Sequence, residues 1–85
     1  MSRVLVSKRA KKFLKTLDGK RQKKIFDVLE TLQYNPIPFR IYDMKKLEGM
    51  ENAYRIRIGN IRITYELFLD ALHIKVRYID FRGGA

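Results

Sequence analysis

Tyr54-Arg55-Ile56-Arg57-Ile58-Gly59-Asn60-Ile61-Arg62-Ile63-Thr64-Tyr65-Glu66-Leu67-Phe68 alternates apolar and polar residues on both sides of one glycine–asparagine pair. A period of two belongs to a strand buried on one face, and a two-residue break with glycine first suits a type II′ hairpin turn. Such a turn sets the register: Ile58 lies opposite Ile61, Arg57 opposite Arg62, Ile56 opposite Ile63 and Tyr54 opposite Tyr65. One face then carries Tyr54, Ile56, Ile58, Ile61, Ile63, Tyr65 and Leu67, and is expected to be buried. The other carries Arg55, Arg57, Arg62, Thr64 and Glu66. Directly opposed side chains have Cβ atoms about 5 Å apart, and like charges there cost about a few tenths of a kcal/mol. Arg57 across from Arg62, with Arg55 two residues along, therefore asks for an anion that offsets the repulsion. An ordinary solvated sheet face is the plain alternative, because arginine is common on exposed strands.

Outward toward the C-terminus, Asp70-Ala71 is the expected next turn, followed by a strand from Leu72 to Asp80. With two turn residues, Leu67 faces Ile74, Tyr65 faces Val76 and Ile63 faces Tyr78 on the buried side. On the polar side Glu66 meets Lys75 and Thr64 meets Arg77, so both faces match at once. The same ladder carries Arg82, past the strand end, back toward Arg57 and Arg62.

Outward toward the N-terminus, Asn35 to Asn52 is the least regular stretch. Pro36 and Pro38 keep it extended, Ile37, Phe39, Ile41 and Tyr42 give it something to pack, and a structured loop with a short strand or turn is expected. Before it lie two helices. Ser7 suits an N-cap, and Ala10, Phe13, Leu14 and Leu17 follow at i, i+3, i+4 and i+7. Asp18-Gly19 reads as the end of that helix. The second helix runs from about Lys20, with Ile25, Val28, Leu29 and Leu32 as its stripe, and stops by Tyr34 because Asn35-Pro36 disfavours helical geometry. Val4, Leu5 and Val6 read as a first strand. The whole is an α+β fold: an N-terminal strand, an antiparallel helical hairpin, then an antiparallel β-meander, with the helices packed on one face of the sheet and the arginines open on the other.

The chain has 85 residues, a formal charge of +10 and 46% hydrophobic residues. That length is read as a single domain, residues 1–85, able to bury roughly 60–65% of its unfolded surface. No apolar run approaches the ~20 residues of a membrane span, and Arg3, Lys8 and Arg9 interrupt any signal-like stretch. With no cysteine, thiol chemistry and thiolate metal sites are excluded. The charge points to nucleic acid, an acidic protein or an anionic surface as partner. Lys8, Arg9, Lys11, Lys12, Lys15, Lys20, Arg21, Lys23 and Lys24 line the outer faces of the helices, as a solvated surface or as a phosphate-contacting rim.

The open sheet face is expected to hold Arg55, Arg57, Arg62, Lys75, Arg77 and Arg82, with one acid, Glu66, tied to Lys75. Phe68 and Phe81 could stack a base, whereas Tyr54, Tyr65 and Tyr78 are expected to point inward. Guanidinium groups match phosphate oxygens with a planar fork of donors. The pattern contains no carboxylate pair, no metal-ligand cluster and no serine or cysteine paired with a base. His73 reads as an ordinary exposed histidine at the far end of the sheet. Chemistry here would rest on arginines that position a phosphate, with RNA supplying the nucleophile through its 2′-hydroxyl.

These residues resemble a known family. Lys46-Leu47-Glu48-Gly49, Tyr54 to Gly59, Arg62 to Tyr65, the closing strand and Arg82 together look like the RelE toxins of prokaryotic toxin–antitoxin systems, across nearly the whole chain. The resemblance implies a cytoplasmic, ribosome-dependent endoribonuclease without cofactor or metal, which cuts mRNA in the A site by 2′-hydroxyl attack on the adjacent phosphate. It implies a RelB-type antitoxin as partner, the ribosome with its mRNA as target, and no membrane. Carried over by position, Arg55 and Arg57 take the two basic strand positions, Arg62 the phosphate-binding arginine and Arg82 the arginine after the last strand. Lys45, Lys46, Lys75, Arg77 and Phe81 are the further candidate RNA contacts.

Two departures stand out. An arginine is a poor proton acceptor, so charge stabilisation is the role expected at the basic strand positions. The tyrosine common after the final arginine has no counterpart in Gly83-Gly84-Ala85: either the native chain continues past Ala85, or the site is incomplete and ribosome binding with weak cleavage is expected. The similar ParE-type toxins act on DNA gyrase without nuclease residues, and a plain basic nucleic-acid-binding module is the third alternative.

Overall fold

The computed structural model describes residues 2–68 and 73–81. Its elements are β1 (Arg3–Val6), α1 (Lys8–Lys15), α2 (Gly19–Tyr34), β2 (Asp43–Lys46), β3 (Ala53–Ile58), β4 (Ile61–Phe68) and β5 (His73–Phe81). They form a five-stranded sheet in the order β1-β5-β4-β3-β2, parallel between β1 and β5 and antiparallel elsewhere. The expected α+β architecture is therefore present, and the irregular stretch contributes β2 as an edge strand. No helix among the described residues is long and apolar enough to cross a membrane.

The β3–β4 hairpin has the expected register, from Ile58 opposite Ile61 to Tyr54 opposite Tyr65. Of its two turn residues only Gly59 has positive φ, at 57°, which is the type II′ signature. Its apolar face is the core. Ile56, Ile63 and Tyr65 are fully buried with Ile74 and Val76 of β5, against Ala10 and Leu14 of α1 and Ile25, Val28 and Leu32 of α2. Tyr65 stacks on Tyr54 at 5.7 Å and donates a 2.6 Å hydrogen bond to the Pro36 carbonyl. That bond satisfies a buried hydroxyl and ties the proline segment to the sheet. Burial, with Tyr54 alongside, pushes the Tyr65 phenol well above its usual pKa.

Ser7 caps α1 as expected, accepting from the Ala10 N–H at 3.1 Å. The first helix is shorter than its stripe suggested. It ends at Lys15, and Asp18 and Gly19 open α2 rather than close α1. Leu17, still buried, packs from the link between the helices. Gln22 donates 2.8 Å to the Leu14 carbonyl and so joins the two helices at that link. The second helix ends at Tyr34, where Asn35 turns extended ahead of Pro36, as pre-proline geometry demands.

The β4–β5 pairing departs from expectation halfway along. Leu67 faces Ile74, Glu66 faces Lys75 and Tyr65 faces Val76, as the alternation implies. Between Thr64 and Tyr65 the register then shifts by one residue, so that Thr64 faces Tyr78, Ile63 faces Ile79 and Arg62 faces Asp80. Arg77 is the extra residue of a β-bulge. Consequently Ile79 is buried where Tyr78 was expected, and Tyr78 turns to the open face with 45% exposure. The bulge sits where β5 leaves β1 behind: Val6, the last residue of β1, pairs with Val76. Ser7 follows directly, its N–H donating 3.0 Å to the Val76 carbonyl and its hydroxyl 2.7 Å to the Arg77 carbonyl. One serine thus starts a helix and holds the bulge. The turn expected at Asp70-Ala71, the start of the strand at Leu72, and residues 82–85 lie outside the described residues.

Candidate nucleic-acid interface

Strand parity places Arg55 and Arg57 of β3, Arg62 of β4, Lys45 of β2 and Lys75 of β5 on the sheet face away from the helices. Lys46 pairs with Tyr54 and so belongs to the helix side of the edge strand. The bulge removes Phe81 from the open face as well. Opposite Ile61, it meets Phe13 of α1 edge-on at 5.1 Å instead of waiting for a base. Phe68 lies against His73 at 4.6 Å, the two rings stacked. Arg82 lies outside the described residues.

The face is less uniformly basic than the sequence suggested, because three carboxylates share it rather than one. Arg57 reaches sideways to Asp43 of β2, 2.8 Å away. Arg62 turns the other way and makes a two-pronged contact with Asp80 of β5, both bonds 3.2 Å. Glu66, though opposite Lys75 in the ladder, is bonded to Arg77. The repulsion between Arg57 and Arg62 is thus relieved inside the protein, each guanidinium being drawn to an acid on its outer flank. Asp43 was hidden in an irregular stretch, and Asp80 reaches this face only because the bulge reverses its side. These pairs are partly solvent-exposed, and such pairs contribute only about 0–1 kcal/mol each. A phosphate can therefore compete for the same guanidinium groups.

Arg55, Arg62 and Arg77 converge on a cavity of about 380 Å³, with Glu66 and Asp80 beside them and Thr64 and Tyr78 in its lining. Leu47, Met50 and Ala53 close one end. Ala53 is fully buried although it lies on the open face, and it accepts from the Leu47 N–H at 2.9 Å, so the preceding loop folds over that end. Arg57, expected with the others, is not part of the lining. Arg55 differs from its neighbours. Among the described residues it forms no ion pair, and its Nε is buried without a hydrogen-bond partner. A buried donor left unsatisfied costs about 1–3 kcal/mol, more when charged. The cavity offers donors for phosphate and, in Glu66 and Asp80, the carboxylates that hold those donors in place.

α1 also reaches this face. Arg9 places its guanidinium 4.8 Å from the centre of the Tyr78 ring, around the edge that β1 leaves open beyond Val76. The basic helix and the arginine face therefore meet at one rim. The sequence reading missed Tyr78 and Asp80. Their signal was present in the spacing of Ile74, Val76 and Ile79, which changes from two residues to three.

No protein-family profile matches the chain. It is similar to two Methanocaldococcus jannaschii proteins. One, carrying the name RelE1, is 42% identical over 82 residues, 96% of this chain and 91% of that one. The other, Toxin RelE3, is 37% identical over 86 residues, 93% of this chain and 98% of its own. The structure is similar to the archaeal RelE–RelB complex from Pyrococcus horikoshii OT3, with a TM-score of 0.89, 30% identity, and coverage of 99% of this chain and 98% of that one.

Proposed function

Because the chain belongs to the RelE toxin family, we propose that it is a ribosome-dependent endoribonuclease that cuts mRNA in the A site. The observation that carries this reading is that Arg55, which forms no ion pair among the described residues, lines one cavity with Arg62 and Arg77. Arg55 and Arg62 grip the non-bridging oxygens of the scissile phosphate and stabilise the charge that builds there. The RNA 2′-oxygen forms the new bond to phosphorus as its proton passes to solvent rather than to an arginine. The bond to the 5′-oxygen breaks and that oxygen takes a proton from solvent, leaving a 2′,3′-cyclic phosphate and a 5′-hydroxyl. Arg57 and Arg82 extend the cationic track, Lys45, Lys75 and Arg77 contact neighbouring phosphates, and the ribosome supplies the RNA in cleavable geometry. Residues 1–85 act as one domain, in the cytoplasm, with the basic helix faces against ribosomal RNA. A RelB-type antitoxin, like the partner named in the Pyrococcus complex, holds the toxin inactive by covering the arginine face.

The test adds the protein to ribosomes programmed with a short mRNA and maps new 5′ ends by primer extension. Cuts within the A-site codon are expected, absent with Arg62→Ala and absent from ribosome-free RNA. No cuts, together with inhibition of supercoiling by DNA gyrase, would replace this reading with the ParE-type alternative.

A further inference from the structure

We propose that Tyr78, backed by Arg9, forms a nucleobase-stacking subsite at the edge of the arginine cavity, so that the face binds a base as well as its phosphate. The inference rests on the reading of this face as one that binds RNA. Tyr78 stands on the open face only because the bulge at Arg77 breaks the alternation of β5. It lines the cavity together with Arg55, Arg62 and Arg77, and keeps 45% exposure. Arg9 places its guanidinium 4.8 Å from the ring centre, and Tyr78, unlike Arg9, lines the cavity. A planar ring has two faces, and the cation can cover only one of them.

This arrangement has the parts that single-stranded nucleic acid requires: a flat aromatic surface beside cations that track the backbone. Arg9 restricts the ring, so less side-chain freedom is lost when a base stacks on it. The neighbouring aromatic residues are otherwise engaged, Phe81 with Phe13 and Phe68 with His73. Because every base has a π-face, the subsite favours an unpaired base over a paired one and discriminates weakly among the four.

The test measures binding of a fluorescent single-stranded hexauridylate to the parent chain, Tyr78→Phe, Tyr78→Ala and Arg62→Ala, over a range of salt concentrations. Circular dichroism checks that each variant is folded. Tyr78→Phe keeps its affinity. Tyr78→Ala loses about 5- to 150-fold, the range of one lost base stack, with an unchanged slope of log Kd against log salt. Arg62→Ala reduces that slope by about one phosphate contact. Removing the bases from the oligonucleotide weakens the parent, and Tyr78→Ala then adds nothing further. Equal binding by Tyr78→Ala and parent, a changed slope in Tyr78→Ala, additive losses, or no RNA binding at all would each overturn the subsite. Ribosomal cleavage, assayed separately, decides the nuclease reading, so either idea can fail while the other stands.

Discussion

The two hairpins of this sheet start from the same alternating pattern and end as different objects. β3–β4 keeps its alternation to both ends, turns at Gly59-Asn60, and sends every other residue into the core. β4–β5 keeps it for four pairs, gains one residue at Arg77, and exchanges which side chains face the helices. The regular hairpin contributes the core and three aligned arginines. The bulged strand contributes Tyr78 beside the cavity and Asp80 against Arg62. Regularity here serves stability, and the interruption re-aims two side chains toward the cavity, as bulges near binding sites commonly do.

The largest effect that could break this contrast comes from replacing neighbours on β5. Ile79→Ala is expected to destabilise by about 2–5 kcal/mol, as for a buried isoleucine, and Tyr78→Ala by less than about 1 kcal/mol. Denaturant unfolding of the two variants checks this. A reversed order would restore the unbulged register. Ser7→Ala comes next, at about 1–2 kcal/mol, because it removes both a helix cap and a bond to the bulge. Ser7→Asp separates the two roles: it still accepts from the Ala10 N–H but cannot donate to the Arg77 carbonyl. Partial recovery of melting temperature with Asp is therefore expected, and full recovery would show that the bulge needs no pin.

The regular hairpin has its own weak point. Gly59→Ala meets no crowding, since nothing lies within 4 Å of the added Cβ, so only the positive φ is penalised, by about 1 kcal/mol. A chemical-denaturation loss much above this would mean that the turn makes contacts beyond its backbone. The smallest effect sharpens the picture of the arginine face. Asp43→Asn is expected to change stability by less than about 1 kcal/mol while loosening Arg57. Tighter RNA binding, read by the same titration, is the expected outcome, and weaker binding would make Asp43 a positioning residue for the ligand.

The contrast also explains what could be read from the amino acids alone. The register of β3–β4, the stripe of the second helix, the Ser7 cap and the break at Asn35-Pro36 each follow from local spacing and backbone preference, and all are present, whereas the first helix stops short of Leu17. The sides taken by Arg55, Arg57 and Arg62 follow from parity. Parity does not say where a long side chain goes next. Arg57 leaves the cavity for Asp43, on a strand that the proline-rich stretch concealed, and the bulge required weighing Ile79 against Tyr78 for one buried position. Asp18-Gly19 was ambiguous for a similar reason. A glycine serves at either end of a helix, and here the chain restarts there instead of stopping.

The eight residues of α1 include five cations and no acid, whereas the sheet face matches Arg57, Arg62 and Arg77 each with a carboxylate. On the proposed RNA-binding reading, the two surfaces act at different moments of an encounter. The unmatched helix would attract the polyanion at long range and bear on how often it arrives. If the sheet face binds RNA as proposed, its matched arginines exchange a carboxylate for a phosphate only on contact, and so bear on how long the RNA stays. Arrival is then indifferent to sequence and structure, and selection is postponed to the dwell time of the bound chain.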